Sequence, residues 1–203
     1  MSVTPSMPML LGYHPRQPRV VTGDLCLPGV RVVCSASRCL SAEIPKAPEW
    51  DLLNETGSYR DAVAARDAGV RAGARDFEVH SYRLYPVLFT KRGPIALALP
   101  SSDAPEVDCA TTPCPTRLGL DVVSLQSGCF KIELPRVDLR SFGCSPLSCN
   151  GFADEIPVNP LCPLDDMALA GSAAERFAIE EPEPGPYVIV EIARCAVNTE
   201  HRT

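Results

Sequence analysis

The ten cysteines of this 203-residue chain are its main source of possible chemistry. Three pairs share the spacing C-x4-C: Cys34 with Cys39, Cys109 with Cys114, and Cys144 with Cys149. Compact zinc sites commonly draw two thiolates from a tighter C-x2-C turn, which this sequence lacks. A structural metal protein binding zinc or iron is therefore one interpretation among several. Its candidate ligands are Cys34, Cys39, Cys144, Cys149 and Cys162.

Two other interpretations of the cysteines stay open. Intracellular cysteines are usually buried free thiols that behave as small apolar side chains. Disulfides would instead require an oxidising compartment, as for a secreted or particle-surface structural protein, and the even count permits them. The spacing alone does not choose between free thiols, disulfides and a metal site.

A cysteine nucleophile is the main enzymatic possibility. Cys149 precedes Asn150-Gly151 in a turn-rich stretch, where a nearby base would lower the pKa of the thiol. The chain has only three histidines, His14, His80 and His201, and no motif links one of them to a cysteine. It also lacks G-x-S-x-G and the glycine-rich phosphate-binding motifs. We therefore predict no catalytic residues and expect a protein without enzymatic activity.

The stretch 144–160 repeats the skeleton of the stretch 34–48. Both begin Cys-Ser, reach a second cysteine after four residues, and pass through an alanine to Glu-Ile-Pro-x-x-Pro. We interpret this as an internal duplication. The second copy places more polar side chains on its proline-stiffened loop, which suits recognition of a partner or small ligand. The candidate binding residues are Ser145, Ser148, Asn150, Glu155 and Asn159.

The elements that would position these loops are also predicted twice, each time as strand, Cys loop, Pro loop, helix and strand. Helices are expected at about 59–68, starting from Ser58, and at about 167–178, capped by Asp165 or Asp166. Strands are expected at 30–33, 77–89 with a kink at Pro86, 95–99, 120–125, 130–134 and 187–193. The pattern predicts an internally duplicated α+β fold with a mainly antiparallel sheet and two principal helices.

The domain organisation follows from the same pattern. Residues 1–23 are expected to form an extended N-terminal arm, and 24–100 the first repeat. A linker rich in serine, aspartate, threonine and proline follows at 101–117, before the second repeat at 118–203. The chain is long enough to bury one good core, which we expect the two repeats to share.

Charge and hydropathy narrow the choice of partners. The net charge is -6 and the chain has no basic block, which argues against nucleic acid. The longest apolar runs are only strand-sized, so no membrane segment is expected. The first residues lack the features of a secretory signal, which favours the cytoplasm. We expect a soluble binding or assembly protein that contacts a protein partner or another copy of itself.

Overall fold

The computed structural model describes residues 7–17, 19–20, 32–36, 42–43, 59–97, 115–125, 142–149 and 152–197. The strands in these ranges are β1 (Met9–Gln17), β2 (Arg19–Val20), β3 (Val32–Val33), β4 (Ala42–Glu43), β5 (Glu78–Thr90), β6 (Gly93–Ala96), β7 (Thr116–Ser124) and β8 (Tyr187–Cys195). The helices are α1 (Ala62–Arg71), α2 (Pro146–Cys149) and α3 (Met167–Glu180), with a 3-10 turn at Phe152–Asp154. None of these helices has the length and apolar character needed to cross a membrane.

The main sheet has the strand order β4-β1-β5-β8-β7, and each of these pairs is antiparallel. β5 is 13 residues long, which lets β1 pair with its first half and β6 with its last four residues. β2 and β3 form a separate antiparallel pair. The prediction of an α+β fold with a mainly antiparallel sheet and two principal helices is confirmed, and β5 and β8 form the centre of the sheet.

Aspartates cap both of the longer helices. Asp166 precedes α3 as predicted, and its carboxylate accepts a hydrogen bond from the backbone N–H three residues later at 2.8 Å. α1 begins three residues later than predicted, after Asp61 instead of Ser58, with the same type of cap at 2.7 Å. The cause is long-range. Tyr59 exchanges two backbone hydrogen bonds with Tyr13 of β1, so it remains extended and cannot enter the helix.

The strands predicted at 77–89 and 187–193 are observed as β5 and β8. Residues 91–92 form a turn that leads into β6, which returns antiparallel along β5. The kink predicted at Pro86 lies where the register between β5 and β8 shifts, between Leu84 and Leu88. The strand predicted at 130–134 lies outside the described residues.

The N-terminal arm expected over residues 1–23 contains β1, which lies within the main sheet between β4 and β5. Leu11 and Tyr13 of this strand are buried, with 1% and 3% of their surface exposed. The strand therefore contributes to the core. The division of the remaining chain into repeats at 24–100 and 118–203 stays a prediction.

The two sides of the sheet centre resemble each other in several details. β1 and β7 each contain a bulge at a glycine with positive φ, Gly12 at 139° and Gly119 at 142°. The residue that follows each glycine exchanges two backbone hydrogen bonds with a residue near the start of a helix. That second residue lies two positions before the aspartate that caps the helix. The two bridges are Tyr13–Tyr59 and Leu120–Leu164. Each bridge thus connects a strand beside the β5–β8 pair to the residues just before a long helix.

Side chains alternate along the strands and divide the core between the two sheet faces. α1 and α3 pack on one face, mainly through alanines and Phe177. Cys34, Ala36 and Phe142 pack on the opposite face, which we call the loop face. Its buried apolar side chains include Leu11, Tyr82, Leu84, Leu88, Val123, Val188, Val190 and Ile192.

Candidate metal centre

Three possible metal ligands meet on the loop face. Glu78 and His80 are alternate residues of β5 and therefore point to the same side of the sheet. Cys34 comes from the segment that follows β3. Its sulfur, a carboxylate oxygen of Glu78 and a ring nitrogen of His80 all lie within 4.8 Å of one another. Within the part of the chain that the structure describes, this is the one group of three or more such ligands.

The backbone holds the Cys34 thiol inside the protein. The N–H of Cys34 donates to the carbonyl of Leu161 at 2.9 Å, which fixes the segment against the loop before α3. Only 3% of the residue is exposed. Burial, with a smaller contribution from the negative charge of Glu78, raises the pKa of Cys34 to about 11. Without a metal the thiol is therefore protonated at neutral pH.

Glu78 and His80 form a directly hydrogen-bonded pair. Nε2 of His80 lies 2.8 Å from one carboxylate oxygen of Glu78, and Arg194 of β8 binds the other oxygen at 2.8 Å. The hydrogen bond from His80 is the main cause of the lowered pKa of Glu78, and burial lowers the pKa of His80. The imidazole is therefore neutral near pH 7. If Nδ1 carries the proton, the Nε2 lone pair faces the Glu78 carboxylate, and both groups can bind one ion in place of this hydrogen bond.

Two arginines set the electrostatic environment of the group. Arg16 of β1 is buried at 5% exposure, and its Nε donates to the hydroxyl of Tyr82 at 3.0 Å. Its charge contributes to the lowered pKa of His80, as does that of Arg194. The positive charges favour ionised Glu78 but oppose a bound cation.

A buried carboxylate lies beside the group. Asp121 of β7 is 2% exposed, and burial raises its pKa in spite of its hydrogen bonds. One of its oxygens accepts from the Ser35 hydroxyl at 2.7 Å and the Ala36 N–H at 2.8 Å. The other accepts from the Ser145 hydroxyl at 2.5 Å. The serines of both repeated Cys-Ser dipeptides thus converge on a single carboxylate.

The cysteines predicted as ligands have separate locations. Cys34 belongs to the group of three. Cys144 is half-buried, Cys162 is buried in the core under α3, and neither joins a described group of three ligands. Cys195 is a buried free thiol. Cys39 and the side chain of Cys149 lie outside the described residues.

Most of the predicted binding residues that the structure describes make internal contacts. Ser145 is fully buried on Asp121, and the 1%-exposed Ser148 donates to the Ser145 carbonyl at 3.3 Å. The side-chain amide of Asn159 donates to the Leu118 carbonyl at 2.8 Å and accepts from the N–H of Leu161 at 2.9 Å.

Glu155 is the exposed member of the predicted set and forms an ion pair with Arg176 of α3. Asn150 lies outside the described residues. The loop of the second copy is therefore held largely by its own polar side chains, as far as the described residues extend.

Sequence reasoning missed Glu78, His80 and Asp121 as site residues. Glu78 and His80 looked like ordinary strand residues, since nothing local shows that Cys34 packs over them. Asp121 offered a usable signal. It is the one charged residue in the apolar run Leu118–Leu125, and a buried carboxylate needs hydrogen-bond donors close by.

The three grouped side chains fit a metal better than catalysis. Thiol, imidazole and carboxylate are also the residue types of a cysteine nucleophile with its base and orienting acid. That chemistry needs an accessible thiolate, whereas Cys34 is buried and its pKa is raised. Zinc accepts sulfur, nitrogen and oxygen ligands from a closed site. Comparisons of the chain with protein-family models, curated proteins and solved structures found no match, so the function is inferred from this geometry.

Proposed function

We propose that the protein binds one divalent transition metal ion, best matched by zinc, and that the ion has a structural role. The observation that supports this is the convergence of Cys34, Glu78 and His80 within 4.8 Å. Such an ion would join the segment after β3 to the central strand β5. Metal binding in a closed site stabilises the folded state because the unfolded chain lacks the assembled ligands.

The donor set favours zinc over hard cations. Magnesium and calcium prefer oxygen ligands, whereas thiolate and imidazole favour zinc and other softer ions. The ion must displace the proton of the Cys34 thiol, and a tetrahedral site needs a fourth ligand beyond these three. The positive charges of Arg16 and Arg194 repel a bound cation. We therefore expect an affinity below that of a four-cysteine zinc site, and one that weakens as the pH falls.

Metal content measured by native mass spectrometry tests this function. The protein is purified without chelator, incubated with zinc and desalted, and we expect one ion per chain. Cys34→Ser and His80→Ala should both lose it. Cys195→Ser is the matched control, because Cys195 is also a buried free thiol but belongs to no ligand group. The metal function is ruled out if wild type binds no ion in excess zinc or iron(II).

We propose self-association as a second function, in keeping with a binding or assembly role without enzymatic activity. The support is the exposed surface of the helix layer. α3 exposes 71% of Ile179 beside the acidic Glu175 and Glu180, whereas α1 exposes 48% of Val63 near the exposed Arg60. Because the exposed Asp61 offsets the charge of Arg60, the paired apolar side chains are what favours α1 of one copy docking on α3 of another.

Light scattering coupled to size exclusion tests the self-association. We expect a dimer whose fraction rises with protein concentration. Ile179→Lys should give a monomer. Ile95→Lys serves as the control, because Ile95 is an equally large aliphatic residue, 51% exposed, on β6 instead of α3. A monomeric wild type at high protein concentration would contradict this second function.

We also propose that the fold arose by internal duplication. Its support lies in the paired bulged glycines, the paired backbone bridges and the paired aspartate caps on either side of the central strands. The Cys-Ser dipeptides support it less directly, because both serines contact Asp121 of one half. We propose a cytoplasmic location separately, supported by the buried free thiols of Cys34 and Cys195.

A further inference from the structure

We propose that Asp121, supported by Ser145, positions the Cys34 thiol in the metal centre. This inference rests on the proposed metal function and extends it to residues that do not touch the ion. It gives the two Cys-Ser motifs different tasks. The first supplies the ligand Cys34, and the second supplies a hydroxyl that holds the positioning carboxylate in place.

Two hydrogen bonds hold the segment after β3 on Asp121. Ser35 and Ala36 both donate to the same oxygen of Asp121, at 2.7 and 2.8 Å. Cys34 is fixed on its other side by its N–H bond to the Leu161 carbonyl. The backbone of Cys34 is therefore held from both directions, which limits where its side chain can point.

The sheet fixes the position of the Asp121 carboxylate. Asp121 lies in β7, which pairs with β8 over its whole length, and β8 in turn pairs with β5. Glu78 and His80 lie on β5. The sheet thus connects the positioning carboxylate to two of the three proposed ligands, so their relative placement is set by a hydrogen-bonded ladder and not by a loop.

Ser145 orients the Asp121 carboxylate. Its hydroxyl donates to the second oxygen of Asp121 at 2.5 Å, and the hydroxyl is completely buried. With both oxygens engaged, the carboxylate has one preferred orientation. Hydrogen-bonded partners that orient metal ligands typically change metal affinity by about 10- to 100-fold when they are removed.

Zinc affinity, measured by competition with a chromophoric chelator, tests the positioning role. Asp121→Ala should weaken binding by about 10- to 100-fold, within the range for lost orienting partners. Asp121→Asn should restore most of the affinity, because its amide oxygen still accepts from Ser35 and Ala36. The zinc affinity of Ser145→Ala should lie between those of wild type and Asp121→Ala. The ligand-field spectrum of the Co²⁺-substituted protein should change for Asp121→Ala, because the sulfur is displaced.

Phe177→Ala is the control for a general loss of stability. Phe177 is fully buried in α3 and packs against Phe152 and Tyr187, on the sheet face opposite the metal centre. The zinc affinity of this variant should equal that of wild type. Equal weakening by Phe177→Ala and Asp121→Ala would overturn the positioning role.

A second measurement does not depend on metal. In metal-free protein the rate of Cys34 alkylation by iodoacetamide, followed by peptide mass spectrometry, should rise at least tenfold in Asp121→Ala. An unchanged rate overturns the positioning of the thiol. A wild type that binds no metal overturns the proposed function, whereas a metal-binding wild type matched in affinity by Asp121→Ala overturns only this inference.

Discussion

At the scale of single residues, the loop face is a network of buried polar groups in which each member depends on its neighbours. Within the described chain, no buried side-chain nitrogen or oxygen lacks a hydrogen-bond partner. Buried donors are costly when they lose an acceptor, whereas a complete network is close to neutral. Removing one hydrogen-bond partner should therefore change the stability of this face more than the presence of the complete polar network does.

Asp121→Ala should lower the free energy of unfolding by about 2–4 kcal/mol, because it leaves three buried donors without an acceptor. Asp121→Asn should cost much less, since one amide oxygen replaces the carboxylate oxygen that accepts from Ser35 and Ala36. Urea denaturation followed by circular dichroism measures both. A loss below about 1 kcal/mol for the alanine variant would contradict the account of this network.

The pH dependence of Asp121 has a defined sign. Burial raises the pKa of its carboxyl in the folded state, so the folded protein holds this proton more tightly than the unfolded chain. Below about pH 4, the ordinary pKa of aspartate, both states are protonated. As the pH rises from there to the raised pKa, wild type loses stability relative to Asp121→Asn. Urea midpoints of the two proteins between pH 3 and 8 measure this divergence, and parallel curves would contradict it.

At the scale of elements, the sequence predicted what local patterns determine. α3, its aspartate cap, β5 and β8 were visible from helical spacing and from β-branched and aromatic residues. The start of α1 was missed because the bridge between Tyr13 and Tyr59 overrides the local capping pattern. β1 was missed because Pro15 within it and Pro8 and Pro18 beside it argued against a strand, whereas its pairing with β5 and β4 stabilises it.

The bulge at Gly119 provides a prediction at this scale. A Cβ there would lie 2.7 Å from Cβ of Pro163 and 2.8 Å from the carbonyl oxygen of Leu164, at a φ of 142°. Gly119→Ala should therefore destabilise the protein by about 2–4 kcal/mol.

Gly171→Ala is the matched control, because Gly171 lies within α3 and its Cβ would meet nothing within 4 Å. It should stabilise by about 0.5–1 kcal/mol. Thermal melts of the two variants measure the contrast. A neutral Gly119→Ala would show that the bulge is not required.

At the scale of the whole molecule, the candidate site is assembled from segments that are distant in sequence. Cys34 was predicted as a metal ligand. The spacing of the cysteines could not show that Glu78 and His80 of β5 and Asp121 of β7 lie near it. Their proximity depends on which strands pair and on which face each side chain points. The duplication pattern identified the two Cys-Ser dipeptides, whereas their meeting at Asp121 is a result of tertiary packing.

Metal binding should stabilise the whole fold. At a free zinc concentration about one hundred times the dissociation constant, the free energy of unfolding should rise by about 2.7 kcal/mol. Differential scanning calorimetry should show this as a rise in Tm of about 5–10 °C for a chain of this length. His80→Ala should show no rise, and neither should wild type with magnesium. Equal stabilisation of wild type and His80→Ala would place the ion elsewhere.

The position of β8 also bears on how the chain folds during its synthesis. β8 follows every other described strand along the chain, yet it occupies the space between β5 and β7. Until the ribosome has delivered it, β5 lacks one neighbour and β7 has no described strand to pair with, so both expose unpaired backbone edges. The nascent chain must therefore avoid intermolecular pairing while residues 91–195 are synthesised, and a chaperone that shields strand edges would increase the yield of folded protein.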